Sequence, residues 1–326
     1  MSGLNTAEAE VAAGAALAAW GGAAAPPRLV KIRENVVFEA RLADGRHVAL
    51  RLHRPGYQSA EAIAAEMDWT AALARAGQPV PDPVPTAAGG WTAPAGDRLA
   101  TCVGWIAGAP LGAGGVPLAG DPVALMAGIG RLLAGLHDKT DVLALPAAFP
   151  RPAWDAAGLL GAAALWGRFW ETPATDDAGR ALLRAAREAA GARLAAMARL
   201  GADYGLIHAD VLRENVLAGP RGLCLIDFDD SGWGFRMYDL GTAMVQNLDE
   251  PRAGEMAAAL LAGYAAARPL PGDAGDLVLF TALRAFASAG WILSRTGPDD
   301  PRRASHTDRA LRMARCLLDG TAPWDG

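Results

Sequence analysis

Between residues 36 and 52 apolar and polar side chains alternate with a period of two, which predicts strands. Two runs, 36–42 and 47–52, flank the sequence Ala43-Asp-Gly-Arg46, so an Asp-Gly turn closes a hairpin. The period then changes. Over residues 59–76, Ile63, Met67, Thr70 and Ala74 fall on one helical face, with Ser59 as N-cap and Gly77 as stop. Glu66 lies beside that face and Glu61 on the opposite side. The proline-rich residues 79–85 read as a connector, and 99–105 as an apolar strand. From Asp121 onwards the spacing is mostly helical. Asp121-Pro122 opens a helix through about His137, residues 178–200 form a long helix, and three helical segments follow Leu240, including 277–294 and 305–318. Short apolar runs interrupt this region: Leu206-Ile207, Val216-Leu217 and, after a turn at 219–222, residues 223–226.

This change of period, within a chain of 326 residues, predicts an α+β protein of two parts. The boundaries are drawn at 1–27 (a small helix packed on the first part, or a partly ordered tail), 28–105 (strand-rich) and 106–326 (mostly helical). Hydrophobic residues make up 52% and charged residues 20%, ordinary for a globular protein. A net charge of −5 argues against non-specific binding to nucleic acid or anionic membranes. Cys102, Cys224 and Cys316 are too scattered for a disulfide framework or a metal knuckle and suit a reducing cytoplasm. No secretory signal is visible at the N-terminus, and no stretch reads as long and apolar enough to span a membrane.

The chemistry concentrates in Leu206-Ile-His-Ala-Asp-Val-Leu-Arg-Glu-Asn215 and Leu225-Ile-Asp-Phe-Asp-Asp230. The strand and turn pattern places Asp210, Asn215 and Asp227 at the ends of short strands, converging on one point. They supply a carboxylate to orient a hydroxyl and an amide–carboxylate pair able to hold magnesium.

These two segments resemble the aminoglycoside-phosphotransferase superfamily, which includes choline kinases and type II homoserine kinases and shares the protein-kinase fold. The resemblance implies a two-lobed kinase-like fold, with Asp210 as catalytic base and Asn215 and Asp227 as magnesium ligands. His208 would brace the catalytic loop, and Asp239 would support it from Tyr238-Asp-Leu240. Asp229 and Asp230 would line the acceptor side, aiding the metal or binding a substrate ammonium. In the first part, Val48-Ala-Leu-Arg51 resembles the third kinase strand, with Arg51 replacing the usual lysine and Glu66 as its partner. Asn35, in Arg33-Glu-Asn-Val-Val-Phe38, would cover the phosphates where protein kinases use a glycine-rich loop. Ile106-Ala-Gly108 resembles the adenine-clasping hinge. His137 and the aromatic group Trp154, Trp166, Phe169 and Trp170 read as core.

The implied activity is transfer of the terminal phosphate of MgATP, bound between the lobes, to a small-molecule hydroxyl. The segment His53-Arg-Pro-Gly-Tyr57, with Trp69, looks most like the homoserine-kinase and stress-response-kinase branch, so an amino alcohol or hydroxy-amino acid is the expected acceptor. Aminoglycosides fit less well, because the C-terminal helices carry Arg302, Arg303, Arg309, Arg312 and Arg315 rather than acidic groups. A serine/threonine protein kinase, or a nucleotide-binding pseudokinase scaffold, is the alternative.

Overall fold

The computed structural model describes residues 5–116, 118–146 and 149–324, and the chain divides into two compact units. Unit 1 comprises residues 1–108 and 143–151. Unit 2 comprises 109–142 and 152–326.

Unit 1 is built on an antiparallel sheet. Its strands are β1 (Arg28–Ile32), β2 (Val36–Arg41), β3 (His47–Leu52), β4 (Pro83–Val84), β5 (Thr92–Ala95) and β6 (Arg98–Gly104). The order is β1-β2-β3-β6-β4, with β5 also paired to β6. The Asp44-Gly45 turn forms as expected, and Gly45 takes a φ of 89°, the left-handed conformation that favours glycine. The proline-rich connector is more ordered than its composition suggests, because Pro83 and Val84 pair with β6. Helix α1 (Thr6–Leu17) is closed at its start by a capping box between Asn5 and Glu8. It packs Ala9, Ala13, Ala16 and Leu17, followed by Trp20, into one cluster with Phe38, Leu42, Val48 and Leu50. Of the two readings of this segment, the packed helix is the one observed. Helix α2 (Ala60–Arg75) is capped by Ser59 and followed by Gly77 at φ 75°.

Unit 2 starts with β7 (Ala109–Pro110) and α3 (Pro122–Val142), which runs five residues past His137. The Asp121 side chain accepts the Val123 N–H at its start. Next come β8 (Ala153–Trp154), α4 (Ala156–Leu160) and α5 (Asp177–Arg199). Four short strands follow: β9 (Tyr204–Ile207), β10 (Val216–Gly219), β11 (Gly222–Leu225) and β12 (Gly232–Phe235). β10 lies between β11 and β7, and β12 between β8 and β9. The unit ends with α6 (Met237–Val245), α7 (Ala253–Ala265), α8 (Asp276–Leu293) and α9 (Pro301–Asp319). α9 begins four residues before the expected point because Asp300 caps it and Pro301 suits its first turn.

One expectation needs correction. α8 is long and apolar enough to cross a membrane by length and composition. Its apolar surface is instead largely buried inside the protein, with Leu277, Leu279, Phe280, Leu283 and Phe286 inaccessible. The aromatic group packs as expected: Trp154 meets Trp166 edge-on at 4.9 Å and Phe169 stacks on Phe286 at 4.6 Å.

Glycines set two helix contacts that matter for the site. A Cβ on Gly130 of α3 would lie 2.1 Å from the Leu260 carbonyl of α7, and one on Gly263 would lie 2.1 Å from the Ala127 carbonyl. A Cβ on Gly241 of α6 would meet the Phe280 backbone of α8 at 2.4 Å. Both helix pairs therefore touch backbone to backbone. Gly130→Ala should destabilise the protein by about 1–3 kcal/mol through overpacking. The check is the midpoint of urea unfolding, and an unshifted midpoint would refute the close approach.

Candidate active site

The loop after β9 carries Asp210 in a backbone that the chain does not adopt without help. Ala209 has a φ of 65°, a conformation that costs a residue with a Cβ about 1 kcal/mol or more. What holds it is the Asp239 carboxylate of α6. Asp239 Oδ1 accepts the Ala209 N–H at 2.7 Å and Oδ2 the His208 N–H at 2.9 Å. Asp239 is fully buried. Its third partner is His137 Nε2 of α3 at 3.1 Å, and His137 Nδ1 lies 2.8 Å from the Tyr264 hydroxyl of α7. A single neutral tautomer satisfies both contacts: Nε2–H donates to Asp239, and Nδ1 accepts from Tyr264. Burial pushes the His137 pKa below the usual histidine value, in keeping with that state. Burial also opposes ionisation of Asp239, but its hydrogen bonds, that from His137 foremost, outweigh burial and hold the carboxyl below its ordinary value.

His208 ties the same loop to the neighbouring hairpin. Its Nε2–H reaches the Ile226 carbonyl at 3.0 Å, and its Nδ1 accepts the Asp210 N–H at 3.2 Å. Both ring nitrogens are thus committed, which suits a brace rather than a proton carrier.

Beyond Asp210 the chain turns through a short 3-10 segment, Arg213–Asn215, into β10. Arg213 is anchored by Asn247 at 2.6 Å and Glu250 at 2.5 Å. Asn215 then points back. Its Nδ2 donates to Asp210 Oδ2 at 2.7 Å and to the Asp210 carbonyl at 2.9 Å. With its NH₂ end so engaged, the amide presents its oxygen as the end able to meet a cation. The Ile226 N–H donates to the Asn215 carbonyl at 2.9 Å, so the β10–β11 hairpin delivers Asp227 immediately beside that turn. Asp227 also has a left-handed backbone, φ 66°. An amide oxygen and a carboxylate are hard donors that suit Mg²⁺, which takes few protein ligands and completes its shell with phosphate and water. Among the described residues no group of three or more His, Cys, Asp or Glu side chains is arranged to hold a metal ion.

Asp210 has a partner that sequence reading missed. Arg284 of α8 donates through Nη2 to Asp210 Oδ1 at 2.6 Å. Burial pushes the Asp210 carboxyl above the ordinary aspartate value, and the Arg284 guanidinium pulls against it. A detectable signal existed: one arginine inside an otherwise apolar helix implies a buried counter-ion. Asp229 is buried, and Asp230 is half-buried with its carbonyl accepting Trp154 Nε1–H at 2.8 Å.

In unit 1, Arg51 Nη1 donates to Glu66 Oε1 at 3.0 Å. Glu66 is only 1% exposed, whereas Glu61 is on the surface, so the helical phase identified the correct glutamate. A second cation, absent from the sequence reading, is Arg151. It lies 3.8 Å from Glu66 Oε2 and donates to the Ala62 carbonyl at 3.1 Å. Asn35 Oδ1 accepts the Arg54 N–H at 2.9 Å, which ties the 33–38 segment to the 53–57 segment. The Arg54 guanidinium rests 4.0 Å over the Tyr57 ring.

A profile of the phosphotransferase enzyme family matches residues 29–273. The chain belongs to that family. This phosphotransferase is 30% identical over 280 residues to an uncharacterized protein of Deinococcus radiodurans, covering 82% of this chain and 78% of the other. Among solved structures, a microcompartment-associated aminopropanol kinase superposes with a TM-score of 0.81 at 29% identity, covering 94% of this chain and 97% of that one. The amicoumacin kinase hAmiN gives 0.70 at 20% identity over 92% and 90% of the two chains. A choline/ethanolamine kinase family protein from Mesorhizobium loti gives 0.61 at 19% over 91% and 90%. The last two show the shared kinase-like fold.

Replacing Asp239 with Asn keeps the shape but removes one acceptor from three converging donors. Asp239→Asn should cost the phosphotransferase about 1–3 kcal/mol of stability. Urea unfolding measures it, and wild-type stability would contradict the hub role.

Proposed function

We propose that this enzyme transfers the terminal phosphate of MgATP to the hydroxyl of a small amino alcohol or hydroxy-amino acid, with Asp210 as the base. The observation that carries the reading is the Asp210 carboxylate, oriented by Asn215 on one oxygen and Arg284 on the other above a loop pinned by Asp239. Such a carboxylate can align an acceptor hydroxyl for in-line attack and take its proton late in the transfer. The aminopropanol kinase, similar over nearly the whole chain, supports an amino alcohol in particular. The hAmiN structure holds AMP-PNP and Ca²⁺, and a spectinomycin phosphotransferase of the same fold holds ADP, which supports nucleotide use.

In this mechanism Asn215 and Asp227 hold the magnesium ion, whose charge when bound offsets that of the phosphates. Arg51, steered by Glu66, binds the phosphates with a planar fork where a lysine would offer a point charge. Asn35 and the adjacent backbone amides cover them. Asp229 and Asp230 supply negative charge for a substrate ammonium. Unit 1 is then the nucleotide-binding part, and unit 2 carries the catalytic and acceptor residues.

Two measurements test this. MgATP-dependent ADP release is assayed across amino alcohols including 1-amino-2-propanol, hydroxy-amino acids, aminoglycosides and a generic protein. An amino alcohol or hydroxy-amino acid should stimulate turnover, and Asp210→Asn should lower kcat by about 10²–10⁴-fold while MgATP still binds. Stimulation by the protein substrate alone would replace the small-molecule acceptor with a protein one. Arg51→Ala removes a charge-assisted contact and should weaken MgATP binding by roughly 10- to 100-fold. Calorimetric titration reads that loss directly, and unchanged affinity would take Arg51 out of the site.

A further inference from the structure

Among the described residues, Arg284 is the side chain from outside the loop and its hairpin that reaches the Asp210 carboxylate. Its guanidinium meets Oδ1 at 2.6 Å while Asn215 meets Oδ2 at 2.7 Å. Each oxygen therefore has its own fixed donor, and the two donors come from different elements. Together they set the rotation of the carboxylate about its own bonds, which a single donor would leave loose.

Arg284 is itself held firmly. Its Nη1 donates to Ser288 Oγ one turn along α8, and that hydroxyl donates back to the Arg284 carbonyl at 3.0 Å. Its guanidinium carbon lies 4.7 Å from the centre of the Trp166 ring, which is wedged against Trp154. The side chain is 4% exposed. A flexible arm awaiting a substrate would be solvated and unpaired. This guanidinium is packed, stacked and bonded before any substrate arrives. A buried arginine of this kind is retained only with its counter-ion, since either partner left alone is an uncompensated charge.

We infer that Arg284 is a positioning residue for phosphoryl transfer, which aims the Asp210 carboxylate from α8 and acts through it without touching either substrate. This rests on the reading of Asp210 as the base. The close contact of Gly241 with Phe280 fixes the spacing of α6 and α8, and so relates the helix that holds the loop's backbone to the helix that holds its side chain.

The test compares the full-length wild type with Arg284→Ala, Arg284→Lys and Asp210→Asn. ADP release from MgATP is followed with the best acceptor of the panel, or with water where no acceptor exceeds it. Arg284→Ala should lose on the order of 100-fold in kcat, as expected for a misdirected catalytic group, with KM for nucleotide and acceptor near wild type. Guanidinium chloride at low millimolar concentration should restore part of that loss, while equal potassium chloride or urea should not. Arg284→Lys, which keeps the charge without the fork, should fall between Ala and wild type.

Three results overturn the inference. One is an unchanged kcat in Arg284→Ala beside an inactive Asp210→Asn. Another is a rise in acceptor KM with kcat intact, which would make Arg284 a substrate ligand. The third is a loss of kcat that guanidinium does not relieve, with or without a fall in melting temperature, which would make its role structural. Wild-type turnover in Asp210→Asn would instead remove the reading of Asp210 beneath it.

Discussion

The Asp239 carboxylate is the interaction on which the rest of unit 2 depends. It is fully buried and meets three donors: two consecutive backbone amides and one imidazole. The amides belong to a turn with alanine in a left-handed conformation, which the loop would leave if those hydrogen bonds were lost. A lone buried charge would be too costly to keep. The imidazole therefore has to be present as a donor to it, and Tyr264 satisfies the far side of that ring. One carboxylate thus recruits α3, α6 and α7 into the support of a single turn.

The spacing of these helices is as consequential as their side chains. Gly130 and Gly263 let α3 and α7 touch along their backbones, which brings His137 within reach of Tyr264. Gly241 does the same for α6 and α8, the helices that carry Asp239 and Arg284. These glycines were chemically silent in the sequence. Their importance appears only once each is seen opposite a backbone atom.

The kinase-like fold was legible because its signals are local: the period-two hairpin, the Ser59 cap, and Asp121-Pro122 at the start of α3. The group around Asp210 was legible for a similar reason, since five residues separate it from Asn215 and one hairpin separates both from Asp227. Helical phase alone distinguished Glu66 from Glu61. The partners reached across long sequence distances were not legible. Arg284 is 74 residues from Asp210, and His137 is 102 from Asp239. Local periodicity carries no information on such pairings. The apolar character of α8 was underrated in the sequence, and only its burial separates it from a membrane helix, because a helix enclosed by protein and a helix enclosed by lipid satisfy the same pattern.

Arg151 has a consequence for how the chain is made. Unit 1 is not one continuous stretch: it runs to Gly108, and after α3 has been laid down the chain returns to it for residues 143–151. The second cation beside Glu66 arrives with that return, 85 residues after the glutamate itself. During synthesis the sheet and α2 emerge first, with Arg51 among them, and Arg151 follows. A fragment ending at Gly108 would lack that second cation. The first unit is thus completed only after translation of the second has begun, so the two cannot mature as independent beads on a string.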